Sequence, residues 1–408
     1  MYILIFGSNY ISSAILRTIL HIPDAKIIIV DRRDPHFILN NDVIQELKKI
    51  SVDDPDINKN MNYDKSFKLN PLDRLSFLFL NPITDSVKLY EELSKVNIDI
   101  VIDTAMMNDP LFSENNYIET TNVNTTYVSS VFSVLKNLNP PLMYINISSG
   151  LVYGKQPKSN LPTKEDILPN PAGARAGSLF ARETLVHALA RANDIPYMTL
   201  RLGNPIGYFT PFEDVINQFI IHHLNGTPLE IHGDGTQARD FFNIEDLGKL
   251  MYRIVCDIMN FPIPELPHNL KPNRPEEEKK RYVGLEYIDR VKNQVFNIAA
   301  DKAKGEDPAT LLAMDKILTT AFGRLIMPET QGKIIIRSSK IKNLDWRNSF
   351  EKGLQIQMNI DKAKDLLDYD PVYVLIPTLK NTVIPYVASE YLNYDDDKLK
   401  ELQEILKL

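Results

Sequence analysis

Six short apolar runs alternate with amphipathic stretches through the first half of the chain: Tyr2–Phe6, Lys26–Val30, Ser76–Leu80, Ile98–Ile102, Leu142–Ile147 and Tyr197–Leu202. They show little polar alternation, as strands covered on both faces must. The stretches between them, at about 11–21, 42–50, 85–95, 114–137, 176–193 and 212–224, carry helical periodicity. Parallel strands need a crossover rather than a hairpin, so this rhythm dictates a doubly wound parallel sheet of the α/β class. A chain of 408 residues has room for that domain and a smaller one. The expected division is 1–203, then a mixed C-terminal domain over 204–390, then a separate helix over 391–408 led by Asp395–Asp397. Two stretches break the rhythm and read as surface insertions: the Asn/Asp-rich 51–73 and the proline- and charge-rich 260–290.

Bulk properties exclude several functions. A net charge of −7 argues against a nucleic-acid backbone as partner. The one cysteine, Cys256, allows neither a disulfide nor a thiolate metal site, and on a helix face it reads as a small core residue. The adjacent His222 and His223 point apart on a helix, so no metal is expected. Met1–Phe6 lacks a basic leader and runs into a turn, and no apolar run reaches membrane-span length. A cytoplasmic protein without a membrane partner is the expectation.

Two segments carry the functional signal. One is Arg201-Leu-Gly-Asn204-Pro-Ile-Gly207. The other is Gly233-Asp-Gly-Thr-Gln-Ala-Arg239-Asp240, running on to Glu245-Asp246. They resemble the substrate half of the NAD-dependent nucleotide-sugar epimerases and dehydratases, which are extended short-chain dehydrogenases on a Rossmann-type fold. The resemblance extends to Gln294–Ala299 and Asn359–Pro371, and so covers most of residues 2–390. It implies that Asn204 and Arg239, and with less certain alignment Arg347, contact the diphosphate of a nucleoside-diphosphate sugar. An amide and a planar guanidinium suit phosphate oxygens. The architectural alternative is that Asp240, Glu245 and Asp246 only orient Arg239 or begin the helix that Asn243 caps.

The cofactor half of the pattern is altered. A dinucleotide turn uses three glycines: for the tight bend, for backbone approach to the pyrophosphate, and for helix–strand packing. In Gly7-Ser-Asn9-Tyr10-Ile11-Ser-Ser13 only Gly7 remains, with Tyr10 and Ser13 at the other two places. The resemblance implies NAD(P) against Gly7, Asn9, Tyr10, Ile11, Asp31, Arg32 and Ala105. Asp31 favours NAD through a ribose diol, while Arg32 and Arg33 could instead meet a phosphate. Met106 and Met107 replace smaller residues at the fourth strand's end. Tyr10 predicts a blocked or shifted pose, and the turn could survive as architecture alone.

The catalytic dyad is altered as well. The family pattern places a Tyr acid/base four residues before a Lys on one helix face, with a Ser or Thr orienting the substrate. Ser149, ending the fifth strand, matches the Ser/Thr position. In Pro171-Ala-Gly-Ala-Arg175-Ala-Gly-Ser-Leu179-Phe-Ala-Arg-Glu183, the Glu sets the register, so Arg175 stands for Tyr and Leu179 for Lys. Arg stays protonated and cannot act as a base. The intact spacing Tyr394–Lys398 lies in the tail and is read as coincidence. Substitution by Tyr153 or Lys155 on the strand-end loop is the remaining catalytic route.

Three readings stay open: a binding protein for a nucleotide-sugar-like ligand without hydride transfer, an active atypical epimerase or dehydratase with NAD(P), and an interaction protein using the fold as platform. The family often dimerises through two long helices, which implies a homodimer through the helices near 114–137 and 176–193.

Overall fold

In a computed structural model the described residues are 1–22, 24–33, 74–107, 109–212, 214–227, 229–232, 235–261, 281–301, 309–310, 313–314, 317–318, 334–337 and 354–407. Arg347, Gly233, the 51–73 insertion, the helix expected at 42–50 and residues 262–280 of the second insertion lie outside them.

The strands are β1 (Tyr2–Phe6), β2 (Lys26–Asp31), β3 (Leu75–Phe79), β4 (Ile100–Asp103), β5 (Met143–Ser149), β6 (Tyr197–Leu202), β7 (Asn204–Ile206), β8 (Leu229–His232), β9 (Ala238–Arg239), β10 (Phe241–Asn243) and β11 (Gln294–Ile298). Seven of them form one sheet in the order β3-β2-β1-β4-β5-β6-β11, every pair parallel. This is the expected doubly wound α/β sheet. Its strand order reverses between β1 and β4, the switch point where such sheets open a crevice. β11 joins beside β6, so the chain returns to the large sheet after leaving it at residue 203.

The main helices are α1 (Tyr10–Ile19), α2 (Ser86–Leu93), α3 (Tyr127–Leu135), α4 (Gly173–Ala192), α5 (Val215–Leu224), α6 (Ile244–Ile258), α7 (Gly284–Val291), α8 (Asp361–Leu366), α9 (Ile384–Leu392) and α10 (Asp396–Lys407). Period-two geometry sorts β1 between two cores. Ile3 and Ile5 face the core shared with α1 and α6, while Leu4 and Phe6 face the one shared with α2, α3 and α4. Helices α1 and α6 approach closely at Gly248, where a Cβ would lie 2.8 Å from the Ala14 carbonyl oxygen. A third core gathers α5, α9 and α10 around Ile206 and Phe241.

The expected helix over 114–137 begins at Tyr117, after a break at Asn116, and runs to Leu135 through a π-helical turn. Helical turns Pro110–Asn115 and Tyr117–Thr121 lead into a π-helical turn, Asn122–Thr126, and only then into α3. The cause is Asn124, fully buried: its Oδ1 accepts from Met107 N at 2.8 Å and its Nδ2 donates to Ser178 Oγ at 2.8 Å. An extra residue in the turn lets that amide face inward and tie the β4 end to α4. The tail is split too: Asn393, in the left-handed conformation, ends α9 before α10 begins.

Two buried ion pairs lock α4 to the sheet. Arg182, 0% exposed, meets Asp103 at 2.5 Å and donates from Nε to Asn146 Oδ1 at 3.0 Å, while the Tyr144 hydroxyl also donates to Asp103. Glu183 takes Arg201 of β6 at 2.7 Å. Among the described residues no helix is long and apolar enough to cross a membrane.

Candidate functional site: the cleft at the sheet switch point

A cleft of about 560 Å³ opens at the carboxyl ends of β1 and β4 and extends to β7 and β9. It brings together every described residue expected to bind cofactor or ligand: Gly7, Asn9, Tyr10, Ile11, Asp31, Arg32, Ala105, Ser149, Asn204 and Arg239. Arg175 lines it as well.

At the cofactor end, Gly7 has φ +87°, and a Cβ there would lie 2.6 Å from Ala105 N. The first glycine is thus required by the approach of the β1 turn to the β4 end. The next residues close the helix N-terminus on itself. Asn9 caps α1: its Oδ1 accepts from Ile11 N at 3.0 Å and Ser12 N at 3.1 Å, and Ser12 Oγ accepts from Asn9 N at 2.8 Å. Asn9 Nδ2 donates to the Thr104 carbonyl at 2.9 Å, pinning the cap to the β4 end. A helix start binds a phosphate with its unpaired N–H groups. Here a capping box engages those of Asn9, Ile11 and Ser12. Tyr10, the first helical residue, puts its phenol against the cleft. Burial pushes its pKa well up, the Asp214 carboxylate adds to this, and the Arg175 guanidinium opposes it. The phenol therefore reaches the electrostatic range of both cleft walls and stays protonated. Ser13 is buried beneath, its hydroxyl without a partner among the described residues.

Asp31 is also engaged. Its Oδ2 accepts from Ser8 N at 2.6 Å and its Oδ1 from Arg33 N at 2.8 Å, with the Arg33 guanidinium at 3.4 Å. Arg32 pairs with Glu119 at 2.9 Å.

In the middle of the cleft Ser149 accepts from Leu151 N at 3.3 Å. Arg175 lies in the first turn of α4, whose N-terminus is capped from outside: Glu114 Oε1 accepts from Ala174 N at 2.7 Å and Arg175 N at 3.4 Å. One turn on, Leu179 is 0% exposed and does not line the cleft. Tyr153 is directed elsewhere, its hydroxyl donating to Asn297 Oδ1 at 2.7 Å and its pKa pushed up to about 12 mainly by burial. Tyr394 and Lys398 lie at the start of α10 and take no part in the cleft.

At the far end Asn204 sits on β7, paired with β10, and Arg239 on β9 is 7% exposed, its Nη1 donating to the Ala238 carbonyl at 3.1 Å. The two arms meet at Gly203, where a Cβ would fall 2.5 Å from the Asp240 carbonyl oxygen. Asp240 holds Met358 N at 3.0 Å, and Asn243 caps α6 through Glu245 N at 2.9 Å. Glu245 pairs with Arg17, and Asp246 accepts from Val372 N at 3.0 Å. These acids thus tie the segment to Met358, Arg17 and Val372.

The sequence reading missed Asp214, which lines the cleft beside Tyr10 and caps α5 through Ile216 N at 2.9 Å. Burial pushes its pKa up to about 6, against the pull of the Ile216 and Asn217 backbone N–H groups. An Asp opening the apolar run Val215–Ile221 is a helix-start signal that could have found it. Among the described residues no group of His, Cys, Asp or Glu could hold a metal ion. Cys256 is buried, its thiol pushed up to about 12 by burial.

Comparison with known proteins agrees with this architecture. The sequence profile of the NAD dependent epimerase/dehydratase family matches residues 3–265. The chain is 28% identical over 368 residues to a trifunctional UDP-glucose 4,6-dehydratase/epimerase/reductase of Arabidopsis thaliana, covering 88% of this chain and 46% of that one. It is 25% identical over 214 residues to a dTDP-glucose 4,6-dehydratase of Neisseria gonorrhoeae, covering 52% and 56%. The chain thus spans about half the length of these curated relatives. In fold it is similar to the UDP-glucuronic acid 4-epimerase of Bacillus cereus, solved with UDP-glucuronic acid and NAD: TM-score 0.68, 22% identity, 96% of this chain and 100% of that one. It is also similar to the dTDP-glucose 4,6-dehydratase of Streptomyces venezuelae, solved with NAD: TM-score 0.69, 16% identity, 97% and 99% covered. On this match, the chain belongs to the NAD dependent epimerase/dehydratase family.

Proposed function

We propose that the cleft binds a nucleoside-diphosphate-sugar-like ligand and that the Tyr/Lys hydride chemistry of the family is lost. The observation that carries this is the closed turn. The N–H groups of Ile11 and Ser12 are held by Asn9, and Tyr10 lines the cleft at the place where the family pattern has its second glycine. The residues present therefore do not fit NAD(P) in the usual pose. Asp31, with both oxygens engaged, has little left for a ribose diol. Arg175 is a permanent cation and serves for binding an anionic or hydroxyl-bearing group, not for proton abstraction. Asn204 and Arg239, at the other end, suit a diphosphate, and nucleotide sugars are bound in the similar structures from Bacillus cereus and Thermotoga maritima.

Thermal-shift titration with UDP-glucose, UDP-glucuronic acid and dTDP-glucose tests this, since a ligand of the native state raises its melting temperature by mass action. Arg239→Ala should weaken the responding ligand by about 10–100-fold, the loss of a charge-assisted contact. An unchanged affinity in that variant overturns the site, and NAD(H) bound with native Tyr10 overturns the closed turn. A second reading, an atypical acid/base enzyme, is favoured by Asp214 with its pKa near 6 in the cleft. Product formation from these nucleotide sugars, lost in Asp214→Asn, would select it. A homodimer through α3 and α4, which pack side by side, would leave this cleft unchanged and is checked by sedimentation.

A further inference from the structure

A second pocket, of about 300 Å³, shares no lining residue with the cleft. It lies between α6, α7 and the end of α8. Arg253 and Asp257 come from one face of α6, and Tyr287 and Arg290 from one face of α7, as i, i+4 and i, i+3 spacing requires. Arg281 and Tyr282 approach from the segment before α7, and Asp365 and Asp368 from α8 and the turn after it.

Two of its three guanidinium groups are paired with buried or half-buried carboxylates. Asp257 is held by Arg281 at 2.7 Å and by Arg253 Nε at 3.5 Å, and Asp368 by Arg253 at 2.7 Å. The third guanidinium, Arg290, pairs with no described carboxylate. It donates to the backbone carbonyl of Asp365 at 3.2 Å and lies 4.4 Å from the centre of the Tyr282 ring. The Asp365 carboxylate belongs to an exposed residue on the rim, where solvent screens it.

One buried donor in the same lining lacks an acceptor. The Tyr287 hydroxyl, on a residue 3% exposed, has no hydrogen-bond partner among the described residues. Burial, with the Asp257 charge, keeps the phenol protonated, so it remains a donor. Buried polar groups are almost always hydrogen-bonded, and an exception calls for a partner. An orphan donor beside a guanidinium that pairs with no described carboxylate calls for an oxygen acceptor carrying negative charge.

We propose that this pocket binds a small oxyanion, a phosphate or carboxylate group, through Arg290 and the Tyr287 hydroxyl. The site is separate from the nucleotide-sugar cleft and does not rest on its assignment.

The test is thermal denaturation of the full chain against sodium phosphate and sodium acetate, with sodium chloride at matched ionic strength as control. One of the two anions should raise the melting temperature saturably, and which one does so identifies the group. Arg290→Gln, at a partly exposed position, should abolish the shift. Tyr287→Phe removes a hydroxyl that has no partner, so it should leave the anion-free melting temperature unchanged or higher while weakening the anion about tenfold. Arg239→Ala, in the other cleft, should keep the shift. No shift beyond chloride, a shift surviving Arg290→Gln, or one lost in Arg239→Ala would each overturn the proposal.

Discussion

The closed turn is the element on which the functional reading depends, and Asn9→Ala tests it directly. The side chain of Asn9 does two things: it accepts from Ile11 N and Ser12 N, and it donates to the Thr104 carbonyl. Losing an Asn cap costs about 1 kcal/mol. Losing the bond to Thr104 costs about 1 kcal/mol more. Urea unfolding followed by circular dichroism should therefore show a loss of about 2 kcal/mol, with an unchanged dependence on denaturant. The same variant frees N–H groups at the cleft. Tyr10→Gly alone widens the cleft but leaves those donors with Asn9, so NADH fluorescence should stay at baseline. Asn9→Ala with Tyr10→Gly opens both the space and the donors, and NADH should then bind. The reasoning fails if Asn9→Ala costs under about 0.5 kcal/mol, the range of ordinary surface changes. It fails equally if Tyr10→Gly binds NADH as tightly as the double variant.

Two further outcomes follow from buried charge. Arg182→Met leaves the fully buried Asp103 without its cation and should cost about 3–5 kcal/mol in urea unfolding. For Asp214 the folded-state pKa is raised from 3.8 to about 6, so between those values the folded state holds more proton than the unfolded one. Stability is then lost as pH rises through that window. Asp214→Asn removes the dependence, so its advantage over the native chain should widen from about pH 4 to about pH 7; a constant difference across that range would show that Asp214 titrates normally.

The sheet was legible because its signal is coarse. Six apolar runs separated by helical stretches call for parallel strands joined by crossovers; five are covered as expected, while the third forms the sheet edge β3, where Phe79 is 55% exposed. What stayed hidden was carried by single polar side chains turned inward. Asn124 sits in the Asn/Thr-rich stretch 122–126, where apolar periodicity has no contrast, so nothing there marked a π turn. Nothing in the sequence marked Arg182 and Asp103 as a buried pair, because a sequence does not say which helix face a sheet will cover. Asn9 was legible in principle: Asn9-Tyr-Ile-Ser12 has the spacing of a capping box. The glycine pattern that the same residues resemble masks that signal.

The same inward geometry decides what restoring the dyad would do. Arg175 and Leu179 share a helix stripe in sequence, and Arg175→Tyr with Leu179→Lys recreates the family spacing. The structure separates the two positions: Arg175 lines the cleft, whereas Leu179 is fully enclosed. A Lys there must desolvate its ammonium among apolar neighbours, which drives its pKa down and costs several kcal/mol unless the side chain reaches water. A neutral Lys cannot lower the pKa of a Tyr four residues before it. The double variant should therefore unfold at lower urea than native and show no turnover of UDP-glucose with added NAD, while Arg175→Tyr alone should fold normally. Turnover by the double variant at native stability would mean that Leu179 has an open path to the cleft, and that the dyad was lost by substitution alone. If the variant is instead inactive and destabilised, the Lys position was closed by packing, and the hydride step was lost to the core as much as to chemistry.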